Sequence, residues 1–571
     1  KWLEAVAYTL AEKPDKELKK LADSVIELIG RAQEPDGYFN TYFILKEPGQ
    51  RFRNLREGHE LYTLGHMIEA AVAYKRATGE KRFLEIVQKM ADLVANTFGV
   101  EEGKRMGMPG HQEIELALMK LYEETGKESY KELAKYFIDV RGCGNRNYFL
   151  EEMKQKDVKR IFPELNDYRP EYSQSHLPVR KQRTAEGHAV RAVYMYAAMA
   201  DIAAEYDDEE LLGACETLWN NMVHRRMYVT GGIGSSGILE RFTADYDLPN
   251  DYNYCESCAS IGLAFFARRM MQITKKAKYV EVMERALYNT VLAGIAMDGK
   301  SFFYVNPLEV WPPSCMERTS KEHVKSVRQK WFGVACCPAN ISRTLASLGE
   351  YIYACEKDTI YVNLFIGNET QITVGEQKVH LSLETDFPWK NQFKINVSGV
   401  KESVQLAVRI PEYAQDYKIF CEGREQFYKE KDGYAYITCE KNGRYEVQFV
   451  SEPRFVRANP KVRADEGKVC VMWGPLVYTV EETDNGENLQ ALYIDTAKPV
   501  KKSEKEEFPM LIAAGKRICE SGWGEEELYG SHPLEFTETE ITLVPYAYWG
   551  NRENGEMAVW LKEYLSDRNN K

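Results

Sequence analysis

Two cysteines stand side by side immediately before a proline, Cys336 and Cys337 in the stretch FGVACCPANIS, and a second thiol pair, Cys255 and Cys258, flanks Glu256 in YCESC. Thiolates and carboxylates are donor types that suit a borderline-soft ion such as zinc, and Glu256, Cys258, Cys336 and Cys337 would fill a tetrahedron with three sulfurs and one oxygen. Their spacing is not that of a zinc finger. Three other readings stand beside this one: CCP as a buried apolar pair with CESC a chance cluster, a structural four-cysteine site that takes Cys255 in place of the carboxylate, and a redox pair of Cys255 with Cys258. No βαβ pattern surrounds that CxxC as a thioredoxin-like motif would want. The proline also marks a helix start, where the positive end of the helix, or a metal, lowers a thiol from its ordinary pKa of about 8.5.

The elements that must position these groups come in two textures. Over residues 1–353 the apolar pattern is helical almost throughout, as in LYTLGHMIEAAVAYKRAT and AVRAVYMYAAMADIAAEY, with paired segments joined by short polar turns such as ETGKES and EYDDEE. Paired helices repeated in this way suggest an α/α toroid or solenoid. Gly58-His59-Glu60, Gly110-His111-Gln112 and Gly187-His188-Ala189 each open the first helix of a pair, and YCESC and CCPAN occupy the same place in later pairs. If those first helices run in one direction, all five starts meet at one end. They would form a single pocket floor lined by free N–H groups and partial positive charge.

After about residue 355 the pattern changes to short alternating segments, such as KVHLSLET and VQLAVRIP, separated by turns such as KDGY and KNGR. That texture predicts antiparallel sandwiches. The expected division is a helical domain at 1–353, a first β-sandwich at 354–460 completed by 552–571, and a second β-sandwich at 461–551.

With 571 residues there is ample chain for several domains, and 44% hydrophobic with 28% charged residues describes a globular protein. A net charge of −12 opposes binding to nucleic acid or to anionic lipid. No apolar run approaches the ~18 residues of a bilayer span. Most of the twelve cysteines, among them Cys143, Cys215, Cys355, Cys421, Cys439, Cys470 and Cys519, sit singly in apolar surroundings and read as reduced core residues. A reducing, cytoplasmic location is the simpler expectation. The chain opens inside an amphipathic helix, KWLEAVAYTLAE, which leaves a removed signal peptide open. The glycine-rich TGGIGSSG lacks the Lys-Ser/Thr ending of a phosphate loop and reads as a flexible loop.

The combination of GHELY, PGHQEIELALMKLYE, EGHAVR, YVTGGIGSS with ERFTADYDLPND, CESCASIG, ERALYNTVLAG, FFYVNPLEV and WFGVACCPANI resembles glycoside hydrolase family 127, the retaining β-L-arabinofuranosidases. The likeness runs over nearly the whole chain. It implies a multidomain α and β protein with an (α/α)6-barrel catalytic domain followed by β-sandwich domains, a Zn2+ cofactor near the sugar, and an arabinofuranosyl oligosaccharide or glycan as substrate. By the same resemblance Cys336 is the nucleophile, Glu240 the general acid/base, and Glu256, Cys258, Cys336 and Cys337 the zinc ligands. His59, His111 and His188, with Glu284 and Tyr304, are the implied sugar contacts, and a homodimer is implied as well. Without the resemblance Glu240 reads as an ordinary surface carboxylate, and the other histidines of the helical half, His66, His176, His224 and His323, as structural groups, His176 within reach of the pocket mouth. Acid catalysis by Glu240 requires a raised pKa. Two departures from the family pattern stand out: Cys255 replaces a small apolar residue, and an upstream helical hairpin that completes the domain is expected outside this chain.

Overall fold

The computed structural model describes residues 1–503 and 509–564. Its N-terminal part is helical, with α1 (Trp2–Glu12), α2 (Lys16–Ala32), α3 (Thr41–Leu45), α4 (Glu60–Thr78), α5 (Arg82–Thr97), α6 (Ile114–Thr125), α7 (Glu128–Asp139), α8 (Tyr148–Glu152), α9 (Ala189–Glu205), α10 (Glu209–Arg225), α11 (Ser257–Thr274), α12 (Ala277–Ala286), α13 (Cys337–Ala346) and α14 (Gly349–Ile352).

These helices are of two kinds, and the sequence says why. In α9, AVRAVYMYAAMADIAAE, fourteen of seventeen residues are buried, because small and apolar side chains cover every face. In α2, KELKKLADSVIELIGRA, only Ala22 and Ile26 are buried, on the one apolar stripe. The more deeply buried helices, with α1 and α13 each about half buried, pack on each other in turn: α1 on α4, α4 on α6, α6 on α9, α9 on α11, α11 on α13, and α13 back on α1. Helices such as α5, α10 and α12 each lie against one of these, and α7 lies against both α6 and α9.

A five-stranded sheet (Tyr353–Glu356, Thr359–Val362, Val404–Arg409, Lys429–Lys431, Tyr434–Cys439) and a six-stranded sheet (Asn368–Val374, Gln377–Thr385, Gln392–Ser398, Gln415–Cys421, Arg424–Glu425, Gly443–Val450) follow. Their alternating buried residues, Ile360, Leu406 and Val408 from one and Val379, Ile395 and Val447 from the other, share one core. The last part differs from the expected second sandwich. Its nine strands, with Glu309–Val310 from the helical part as a tenth, are one hydrogen-bonded sheet, because Leu476–Glu481 pairs both with Lys468–Trp473 and with Phe536–Pro545 and so closes a six-strand circuit. Met557–Ala558 and Leu561–Tyr564 pair within this sheet, so residues 552–564 do not complete the first sandwich, and 565–571 lie outside the described residues. Arg454–Val456 joins it too, ahead of the expected boundary at 461.

Two seams fix the β parts on the helical part. Arg409, fully buried, donates to Glu281 (2.7 Å) and to Glu284 of α12, while Tyr413 donates to the other oxygen of Glu284 (3.0 Å). The second seam is apolar: Tyr228, Cys255, Phe303, Leu308 and Val310 pack with Cys470, Met472, Tyr546, Trp549 and Trp560, and Glu309–Val310 pairs with Met557–Ala558. Cys215, Cys439 and Cys470 are core residues as expected, but Cys143 and Cys355 are exposed. No helix among the described residues is long and apolar enough to cross a membrane.

Candidate active site

Several helix starts do meet. His59 is the N-cap of α4, His188 of α9, Glu256 of α11 and Cys336 of α13. His111 is the exception: α6 begins only at Ile114, because Gln112 is drawn aside to bond Ser173 and Gln174, and Glu113 has an extended, non-helical φ. The three rings are nonetheless neighbours, with centroids 5.8 Å apart for His59 and His111 and 5.4 Å for His111 and His188.

The thiols converge as their residue types proposed. Cys336 Sγ lies 3.2 Å from Cys258 Sγ and 3.7 Å from Cys337 Sγ, Cys258 and Cys337 are 3.6 Å apart, and Glu256 Oε1 is 3.0 Å from Cys336 and 3.7 Å from Cys337. None of these cysteines is in a disulfide. Glu256, Cys258 and Cys337 are buried, and Cys336 is half-buried. Cys255 is not part of the group. Its backbone is left-handed (φ 41°), which turns its fully buried side chain into the apolar seam with the last sheet, and burial there holds its thiol well above the ordinary range. The four-cysteine site and the CxxC redox pair are thereby excluded.

The donor set fits a tetrahedral ion. Arms of about 2.3 Å place sulfurs at the corners of a tetrahedron about 3.8 Å on edge, close to the separations present. Left to the protein's own groups, the thiols do not all ionise. Burial opposes the charge on Cys258, but hydrogen bonds from Cys336 and Cys337 bring it down to about 6, and sharing that proton pushes Cys336 up to about 12. Burial and the Cys336 sulfur hold Glu256 above the carboxylate range, and its Oε2 is buried with no hydrogen-bond partner. Three donors that resist ionisation packed against one that gives up its proton readily form an arrangement that a dication relieves.

The backbone behind the donors is latched. Asn306 donates through Nδ2 to the Cys255 carbonyl (2.9 Å) and to Ser257 Oγ (3.1 Å), Asn253 donates to the Asn306 carbonyl (3.0 Å), and Glu256 bridges to Val305. The same strand-like segment presents Tyr304, whose hydroxyl is 3.1 Å from Cys336 Sγ and donates to the sulfur when that is ionised.

Glu240 faces this group from a strained turn. Leu239 (φ 60°) and Glu240 (φ 54°) are consecutive non-glycine residues in the left-handed region, a conformation costing about 1–3 kcal/mol per residue and concentrated at functional sites. The glycine-rich loop before it is tight for a packing reason. A Cβ on Gly231 would stand 2.6 Å from Ala286 Cα, and one on Gly232 would stand 2.8 Å from Cys255 Sγ. Glu240 Oε2 lies 2.8 Å from His188 Nε2, and Oε1 accepts from Tyr254 OH at 2.9 Å. Ligand atoms of His188, Glu240 and Glu256 all lie within 4.8 Å of one another, which joins the Glu240 carboxyl to the thiol group. Burial raises the Glu240 carboxyl, but the bonds from His188 and Tyr254 outweigh it and hold the group below the carboxylate range, opposite to the expected direction.

The histidines are neutral. Burial brings His59 down to about 4, holds His111 well below its ordinary value and lowers His188, with the Arg191 guanidinium acting in the same sense. His59 Nδ1 is 2.6 Å from the Glu57 carbonyl and His111 Nδ1 is 2.8 Å from that of Gln112, so each Nδ1 donates and each Nε2 is an acceptor. His188 has the opposite tautomer, Nδ1 accepting from the Arg191 amide (3.4 Å) and Nε2 donating to Glu240. Such a set of acceptors beside a carboxylate suits hydroxyl groups.

One expected contact is displaced. Glu284 does not reach this site: its side chain is sealed in the Arg409 and Tyr413 seam. Two groups went unnoticed in the sequence. Tyr254 lies two residues before Glu256 inside YCESC. Tyr62 is one helical turn after His59 in GHELY, with its ring 4.4 Å from His111 and its hydroxyl accepting from Lys1 Nζ at 2.8 Å. Replacing Tyr254 by phenylalanine removes a donor that favours ionised Glu240, so the pKa of that carboxyl rises. The alkaline limb of kcat/KM should move to higher pH in Tyr254→Phe; a limb that stays in place or moves down would contradict this placement.

Comparison with known proteins gives the following. The profile described as β-L-arabinofuranosidase, glycoside hydrolase family 127 catalytic domain, matches residues 1–350, that of the family's middle domain matches 359–451, and that of its C-terminal domain matches 453–562. A non-reducing end β-L-arabinofuranosidase of Bifidobacterium longum subsp. longum is 39% identical over 98% of this chain and 88% of its own length. The crystal structure of a family 127 β-L-arabinofuranosidase from Geobacillus stearothermophilus T6 superposes with a TM-score of 0.94 at 47% identity, covering 99% of this chain and 89% of that one. A second family 127 structure, titled a β-arabinofuranosidase, gives 0.86 at 36% identity, covering 98% and 87%.

Proposed function

The chain belongs to glycoside hydrolase family 127, and on that premise we propose that it is a retaining exo-glycosidase releasing a terminal β-L-arabinofuranosyl unit, with Cys336 as nucleophile and Glu240 as acid/base. The observation that carries this reading is the unpaired Cys336 thiol, half-buried at a helix start, with Glu240 across the same small space.

Glu256, Cys258, Cys336 and Cys337 would hold zinc. When bound, it would supply the charge that keeps these sulfurs ionised. The chain's own groups do the rest. Glu240, protonated, gives its proton to the glycosidic oxygen as the bond to the anomeric carbon breaks, and Cys336 Sγ attacks that carbon to form a thioglycosyl bond. Tyr304 donates to the sulfur before attack and steadies it again as it departs. Ionised Glu240 then takes a proton from the water that displaces sulfur, so the configuration is retained. The bonds from His188 and Tyr254 favour this ionised form, and the acidic form needed first is favoured when a sugar excludes water from the carboxyl. The Nε2 acceptors of His59 and His111 would receive hydroxyls of the furanose, with His188 holding the acid in place. The premise also carries the architecture: the helical domain is read as an (α/α)6 barrel, supported by the circuit of buried helices that returns from α13 to α1.

The test is hydrolysis of an aryl β-L-arabinofuranoside beside other furanosides, with the anomeric configuration of the first-formed sugar read by NMR. Release of β-L-arabinofuranose is expected, and release of inverted sugar or preference for another furanoside would overturn the reading. Metal removal supplies an independent check. Dialysis against a strong chelator should remove one metal per chain, lower the melting temperature and stop turnover, with zinc but not magnesium restoring both. Full activity in metal-free protein would refute the ligand set.

A further inference from the structure

Two turns along α13 from Cys336, Arg343 is almost completely buried (1% exposed). Its Nη1 donates to Glu4 Oε2 of α1 (2.7 Å) and to Glu69 Oε2 of α4 (2.5 Å), and its Nε to Asn340 Oδ1 (2.6 Å). Asn340 in turn donates to Tyr194 OH of α9 (3.0 Å), and the second oxygen of Glu69 accepts from Lys120 of α6 (2.5 Å). One guanidinium therefore joins the helix that begins with both thiols to α1 and α4 directly, to α9 both directly, through Nη2 to Tyr194 OH at 3.4 Å, and by way of Asn340, and to α6 through Glu69. His66 and Glu113 also face Glu69, with His66 Nδ1 2.8 Å from Glu113 Oε1. That trio does not read as a second metal site, because both Glu69 oxygens are already taken by cations.

A buried ion-pair junction is a poor source of net stability, since desolvation offsets much of the attraction, but it is a well-attested way to fix register. Here a register is needed. Helix α13 is only ten residues long, and the residues before it, 333–335, are exposed or half-buried, so its thiol end is held from below. A slip of one residue would turn Cys336 and Cys337 by about 100° around the axis.

We propose that Arg343 is a positioning residue for the thiols, fixing the register of α13 so that Cys336 and Cys337 meet Cys258 and Glu256; this rests on reading those four groups as a metal site. The comparison that isolates it is Arg409, an arginine equally buried between two glutamates but in the domain seam. Arg343→Met and Arg409→Met would each be titrated with cobalt(II), reading the thiolate charge-transfer absorbance, the dissociation constant by chelator competition, and the melting temperature. We expect Arg343→Met to bind cobalt about 10–100-fold more weakly, with a reduced charge-transfer band and a fall in kcat larger than any change in KM. Arg343→Lys should recover part of the affinity. Arg409→Met should lose melting temperature yet bind cobalt as the unaltered chain does. Unchanged cobalt affinity and spectrum in Arg343→Met, or an equal loss in Arg409→Met, overturns the proposal. Should Arg343→Met fail to fold, Glu4→Gln decides by the same readouts: weaker cobalt binding supports the proposal and unaltered binding overturns it. No thiolate absorbance in the unaltered chain would instead sink the metal reading, and this proposal with it.

Discussion

Cys336→Ser is expected to lose turnover by about 10⁴-fold or more, whatever the leaving group. A serine hydroxyl at this position has a far higher pKa than a thiol and is a weak nucleophile at neutral pH, while Tyr304 would still offer its donor to an oxygen that stays protonated. Because Cys336 is also counted among the metal ligands, metal content has to be measured on the same sample. The discriminating partner is Cys337→Ser. It should bind metal more weakly yet recover much of its activity when zinc is supplied in excess, whereas Cys336→Ser should recover none. Trapping the glycosyl-enzyme with a poor deglycosylation substrate and mapping it by mass spectrometry should place the sugar on the peptide containing Cys336. A label on any other residue, or a Cys336→Ser protein that still turns over, would remove the proposed chemistry.

Glu240→Gln should lower kcat by about 10²–10⁴-fold on a glycan substrate, with KM little changed, because the amide keeps the shape of the side chain and can no longer donate a proton to the leaving oxygen. The loss in kcat/KM, which reports the first step, should shrink on nitrophenyl substrates, whose leaving groups depart without protonation, while kcat stays low because the same carboxylate is the base of the second step. The pH profile should also lose its alkaline limb, since that limb reports the carboxyl giving up its proton. A uniform loss of kcat/KM across leaving groups would show that Glu240 holds the substrate rather than acting as its acid. Comparison with Tyr254→Phe separates the two possibilities further, as that change should shift the limb without abolishing it.

How much of this was legible in the sequence follows from what each signal depends on. The helical half was readable because 3.6-residue periodicity is local, and CCP next to CESC was readable because donor types are written in the residues themselves. The convergence of His59, His188, Glu256 and Cys336 followed from repeat logic, which depends only on helices running alike. The failures are tertiary. Nothing local says that Gln112 prefers Ser173 and Gln174 to the start of α6, so His111 was placed a few residues too close to its helix. Glu284 looked like a pocket residue until Arg409, 125 positions along the chain, claimed it. The direction of the Glu240 shift was missed because Tyr254 and His188 reach it through a left-handed turn that alternation and periodicity do not encode. The last sheet closed on itself through one strand with partners on both edges, a choice that strand-length patterns leave open.

The side chain of Cys255 points away from the thiols into the apolar seam, and the segment 302–310 that latches Glu256 has its other face, Phe303, Leu308 and Val310, against Trp549, Trp560 and their neighbours. The C-terminal domain therefore braces from behind the segment that carries Tyr304 and latches Glu256, and is no detachable appendage. Cutting the chain after residue 350 would hand that segment's apolar face to water and leave Glu256 and Tyr304 on an unsupported ribbon, so evolution and protein engineers alike must move this chemistry between scaffolds as one indivisible body.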